Sequence, residues 1–203
     1  MNLKLQFQDS AAFAAPLLAV FAVDIATGDD ATPSPALLTT SDALCNTAAP
    51  WLATGEFKAK LGETLLLHSP ANITAQRLLV IGMGRAAVLT VDEVRKASGV
   101  AVRFARACGL QELAIAFPED KALSDEHMDS LPCDLTARAI AEGAILADFD
   151  IDFYRSDRKD QGIHAATVLH IETDRKSQAE MQTGLDEGIM VGHSQNFARS
   201  LIN

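Results

Sequence analysis

The stretch from Leu78 to Phe117 limits the fold more than any other part of this chain. Leu78–Met83 is a continuous apolar run, the pattern of a strand buried on both faces. Thr90-Val-Asp-Glu93 follows and reads as a capping box. Behind it Val94, Ala97, Ala101, Phe104 and Cys108 recur at spacings of three and four, the period of one helical face. Gly109 supplies the stop. Leu113–Phe117 is a second apolar run, ended by Pro118. Strand, helix and strand in this order point to an α/β fold.

The rest of the chain repeats the alternation. Leu3, Leu5 and Phe7 alternate with polar residues as in a half-buried strand, and Leu17–Val23 reads as a central strand. Gly28–Pro35 is a loop by composition. Ser41 is placed to cap a helix carrying Leu44, Ala48, Trp51 and Leu52 on one face, with Gly55 as its stop. Phe57–His68 reads as a hairpin, with Gly62 near the turn and Leu65–Leu67 in its second strand. The acidic stretch Glu119–Asp129 reads as a short exposed helix or loop. Asp134 is expected to cap a helix running to about Asp148, and Asp148–Tyr154 alternates strictly, as a strand does. Ala165–Ile171 is another strand, and Ser177-Gln-Ala-Glu180 a second capping box that opens a terminal helix. The expected class is α/β, with a mixed, mainly parallel sheet flanked by helices. Residues 1–176 form one unit and 177–203 a helix leading out of it.

Composition narrows the function. The formal net charge is −10, from 27 acids against 17 bases. That argues against nucleic acid or an anionic membrane as partner, because counterion release needs clustered Lys and Arg. The N-terminus lacks the apolar core of a secretory signal, and no apolar run approaches the ~20 residues of a membrane span. Cys45, Cys108 and Cys133 are far apart and form no C-x-x-C pair, as expected for thiols in a reducing cytoplasm.

Several motifs invite a chemical reading. Gly82-Met-Gly84-Arg-Ala-Ala87 matches G-x-G-x-x-A after a strand, but the capping box starts the helix at Thr90. The acidic ribose ligand expected about 20 residues on is replaced by Phe104 and Ala105. A tight structural turn is the better reading. Asp148, Asp150 and Asp152 imitate half a calcium loop, yet Phe153 and Lys159 stand where that loop needs Gly and Glu. Gly192-His-Ser-Gln-Asn196 resembles a nucleophile elbow, but it lies within a helix and ends in Asn. His68, His127, His164, His170 and His193 show no zinc-binding spacing. Gly184, Gly188 and Gly192 recur every fourth residue, a face suited to close backbone packing against another element.

The ordered set of motifs resembles a family. Gly55-Glu-Phe-Lys-Ala-Lys-Leu-Gly-Glu63, Leu78-Leu-Val-Ile-Gly-Met-Gly84 and Arg95-Lys-Ala-Ser-Gly-Val-Ala-Val-Arg-Phe-Ala-Arg106 come first. Ala141-Glu-Gly-Ala-Ile-Leu-Ala-Asp148, Phe153-Tyr-Arg-Ser156 and Asn196-Phe-Ala-Arg-Ser-Leu-Ile-Asn203 follow. Together they resemble the N-terminal domain of the leucyl (cytosol) aminopeptidases. The resemblance implies a macro-domain-like fold here and a C-terminal catalytic domain as partner. That domain would bind two divalent metals (zinc, manganese or magnesium) and remove N-terminal residues such as leucine from peptides. It also implies a homo-hexamer. The family's N-T-D-A-E-G-R stretch is absent from this sequence. No catalytic, cofactor-binding or metal-ligating residue is therefore carried over. The leading expectation is a non-catalytic domain serving assembly or active-site access. The alternative is an ADP-ribose-like small-molecule binder, with its phosphate loop near Gly82 and Gly84.

Overall fold

A computed structural model describes residues 1–28, 31–119, 122–123, 131–149, 162–170 and 174–201. Its centre is β2, Leu18–Asp24, in which every residue through Val23 is buried. Side chains alternate across a strand, and here both faces are covered. Leu17, Ala19, Phe21 and Val23 join one core cluster, while Leu18, Val20 and Ala22 join the other.

The remaining strands are β1 Asn2–Phe7, β3 Pro35–Leu37, β4 Thr64–His68, β5 Arg77–Arg85, β6 Glu112–Ala116 and β7 Ala165–His170. Among the described residues they form one seven-stranded sheet in the order β1-β7-β6-β2-β5-β4, with β3 paired to β2 off this path. The pairs β1–β7, β7–β6, β6–β2 and β2–β5 are parallel, and β3 and β4 run antiparallel to their neighbours. The mixed, mainly parallel sheet is the expected one.

Among the described residues four α-helices cover it: α1 Asp42–Leu52, α2 Val91–Ala107, α3 Cys133–Ala147 and α4 Arg175–Ser200. Leu44 and Ala48 of α1 pack on one face, and α2, α3 and α4 pack on the other. The capping box at Thr90 and Glu93 is present, and Gly109 follows α2 with φ +68.

The local structure departs from the sequence pattern at several points. Phe57–Lys60 is not a hairpin arm. Glu63 Oε2 accepts the N–H groups of Lys58 and Lys60 at 3.1 and 2.9 Å, which holds this segment as a loop, and β4 pairs with β5 instead. Part of the expected 28–35 loop enters the sheet as β3. Trp51 is 52% exposed, so it does not share the buried face of Leu44. Pro132, not Asp134, precedes α3, and Asp134 sits in its first turn. Asp174 caps α4 by accepting the Ser177 N–H at 2.9 Å, which places Ser177 inside the first turn. Asp148 is the C-cap of α3. Residues 150–154 of the expected strand, and most of Glu119–Asp129, lie outside the described residues.

Candidate functional site

Gly82 and Gly84 lie within β5, before any helix begins. A single 3-10 turn, Ala86–Val88, separates them from α2. Gly82 donates its N–H to Glu63 O at 2.8 Å and accepts the Gly62 N–H at 2.9 Å, while the Gly84 N–H reaches Ala59 O at 2.8 Å. A Cβ at Gly82 would collide with the carbonyls of Lys60 and Ala59. Close approach of two backbones therefore requires glycine at Gly82. It faces the backbone of Ala59 and Lys60, and α2 begins only at Val91, too late for its N-terminus to meet a phosphate at these glycines.

The other motifs are also absorbed by structure. Asp148 Oδ1 accepts the Ile163 N–H at 2.8 Å and Oδ2 lies 3.7 Å from the Met1 amino group. Asp150, Asp152 and His127 are outside the described residues. His193 and Ser194 are mid-helix, and the Ser194 hydroxyl donates to Met190 O at 2.8 Å, away from any strand-to-helix turn. His68 and His164 are exposed at strand ends. Among the described residues no group of three or more His, Cys, Asp or Glu could hold a metal ion. Nor, among them, is any helix long and apolar enough to cross a membrane.

Three polar groupings were not visible in the sequence, because long-range pairing creates them. Just past β6 and against the last residue of β7, Glu119 Oε1 lies 3.5 Å from His170 Nδ1, and Glu119 Oε2 accepts the Thr40 N–H. The Phe117 and His170 rings stack obliquely, with centroids 4.8 Å apart. Burial pushes the Glu119 carboxyl up, but the His170 imidazole and the Thr40 hydroxyl and N–H outweigh it and hold it below the usual carboxylate range. Nearby, burial and then the Asp42 and Glu119 carboxylates push the Cys45 thiol up. It stays protonated, the unreactive form. This cluster fastens the segment after β3 to the sheet.

On the helical face, Glu142 is buried between two guanidinium groups, at 3.0 Å from Arg95 Nε and 2.8 Å from Arg138 Nε. Arg95 also pairs with Asp92 at 2.7 Å and Arg138 with Glu187 at 3.6 Å. The chain of charges ties α2, α3 and α4 together across a groove of about 310 Å³. The third grouping is a crevice of about 280 Å³ that includes Asp24 and Arg85, at the carboxyl ends of β2 and β5.

The terminal helix α4 has two distinct faces. Gly184, Gly188 and Gly192 lie directly on α3: a Cβ at Gly184 would overlap Asp134 O, and one at Gly188 would come 2.7 Å from the Ala141 Cβ. The small-residue face expected from the sequence thus has its partner. Opposite it, at spacings of seven and four that share one helical face, Met190, Phe197 and Leu201 are 68%, 66% and 72% exposed.

A family model described as the cytosol aminopeptidase family, N-terminal domain, matches residues 18–158. The chain is 45% identical over 193 residues to a probable cytosol aminopeptidase of Acidobacterium capsulatum, covering 92% of this chain and 36% of that protein. It is 35% identical over 212 residues to one of Koribacter versatilis, covering 100% of this chain and 40% of that protein. The chain therefore spans a little over a third of the length of these relatives. Among solved structures, a tomato leucine aminopeptidase mutant superposes with a TM-score of 0.62 at 17% identity, over 91% of this chain and 35% of that one. The bottromycin maturation enzyme BotP does so with 0.61 at 23% identity, over 93% of this chain and 33% of that one. At these identities the structural likeness shows the fold alone.

Proposed function

The chain belongs to the cytosol aminopeptidase family, of which it is the N-terminal domain, and from that premise we propose that it is a non-catalytic domain serving assembly of a cytoplasmic aminopeptidase or access to its active site. The parent enzyme, on this reading, is a homo-hexamer that removes N-terminal residues from peptides with two divalent metals (zinc, manganese or magnesium). Its metals and its chemistry belong to a catalytic domain outside these 203 residues.

The observation that carries this reading is the outer face of α4. A surface row of large apolar side chains marks an interaction site. The glycine face of α4 is already used against α3, so the row of Met190, Phe197 and Leu201 is what remains to meet another domain.

The test is the double change Met190→Glu with Phe197→Glu, made both in the full-length protein and in this chain alone. The full-length variant should lose its native oligomeric mass in light scattering and lose peptidase activity, while the short chain keeps its unfolding midpoint. Unchanged mass and activity in the full-length variant would count against the proposal.

A further inference from the structure

We propose that the crevice between the carboxyl ends of β2 and β5 binds a free apolar α-amino acid. In open α/β sheets, ligands sit where adjacent parallel strands send their connections to opposite faces. The chain leaving β2 turns back as β3 along the β2 edge and then passes to α1 on one face, and the chain leaving β5 passes to α2 on the other. These two strands are neighbours, and the crevice of about 280 Å³ opens between their ends.

Its lining selects the ligand. Asp24 and Arg85 are register partners across the two strands, and both line the crevice. Asp24 Oδ1 holds the Ala26 and Ser34 N–H groups at 3.0 and 2.8 Å. These two bonds fix the carboxylate at the rim of the crevice. The Arg85 guanidinium donates to Gly28 O, which steadies it, and five N–H donors let it hold a carboxylate while keeping other contacts. Ile25, Ala86 and Ala87 supply apolar wall. An acid, a base and an apolar wall within one small cavity match an ammonium, a carboxylate and an aliphatic side chain. The volume lies at the small end for ligand pockets, which suits an amino acid and not a dinucleotide. If the proposed function holds, such an amino acid is the enzyme's own product. The binding itself does not depend on that reading.

The experiment is an amide-resolved NMR titration of this chain with L-leucine, N-acetyl-leucine, leucinamide and ADP-ribose. L-leucine should shift the amides of Thr27, Gly28, Ala86 and Ala87 saturably. Removing either ligand charge should weaken binding by about tenfold or more, the size of one lost charge-assisted hydrogen bond. Asp24→Asn and Arg85→Gln should each do the same. Ala87→Leu, at an exposed position, should fill the crevice and abolish the shifts while leaving the rest of the spectrum in place. The proposal is overturned if leucine gives no saturable shift there, if the capped analogues bind as well as leucine, or if ADP-ribose alone binds.

Discussion

Asn196 Nδ2 donates to the carbonyl of Ile145 at 2.8 Å, from α4 to the last turn of α3. Arg199 adds a longer contact to Leu146 O at 3.4 Å and places its guanidinium 5.1 Å from the Phe149 ring. The final carbonyls of a helix have no partner within it. One helix here supplies the C-terminal cap of the other. Asn196→Ala should cost about 1–2 kcal/mol, because it leaves the Ile145 carbonyl without its partner. Urea unfolding of the two proteins measures it. An unchanged midpoint would mean that water replaces the amide without cost.

The three glycines of α4 should respond to alanine in a defined order. Alanine is favoured over glycine within a helix by about 1 kcal/mol, so an exposed position would be stabilised. At Gly184 and Gly188 the new methyl would meet the backbone of α3 at Asp134 and Arg138. The helices must separate, and destabilisation should reach about 2 kcal/mol or more. At Gly192 the obstacle is the Ile145 side chain at 3.0 Å, which can shift, so the change should be the mildest of the three. A stabilised Gly184→Ala protein would refute the packing described here.

Protection of α4 against hydrogen exchange should fall along its length. Met181 and Leu185 are buried, and Gly192 is the last buried residue of the helix. Beyond it, contact with the domain rests mainly on Asn196 and Arg199. Amides from 193 to 201 should exchange faster than those of α2 in dilute monomeric protein. Equal protection would show that this end needs no further partner.

Glu119 gives a pH signature. Its folded-state pKa lies below the usual range, because the His170 imidazole and Thr40 outweigh its burial. A carboxyl of this kind contributes stability that is complete above its unfolded-state pKa. That stability is lost as pH falls through the folded-state value. Glu119→Gln should therefore be less stable than the parent near neutral pH, with the gap closing in acid. Thermal melts across that range check it, and a gap that widens toward low pH would contradict the assignment.

The alternation of periods carried most of the architecture. Leu78–Met83, the Thr90 capping box and Gly109 locate β5 and α2 because their signals are local. Boundaries set by competition between neighbouring polar residues were less legible. Asp174 displaced Ser177 as a cap, and Glu63 turned an expected strand at Phe57–Lys60 into a loop. The glycine row of α4 announced close packing, but only the fold names α3 as its partner. Asp24 and Arg85 are 61 positions apart and meet only through the parallel register of β2 and β5. No sequence spacing encodes that pairing, and the same holds for Glu119 with His170.

The central claim is that this domain does not itself cleave peptides. Its most direct test is release of a chromogenic leucine amide by the purified chain, with zinc, manganese or magnesium added in turn and the full-length protein as the positive reference. No release above blank is predicted for the chain alone, with chelator-sensitive release by the full-length protein. Release by the 203-residue chain that a chelator abolishes would contradict the account.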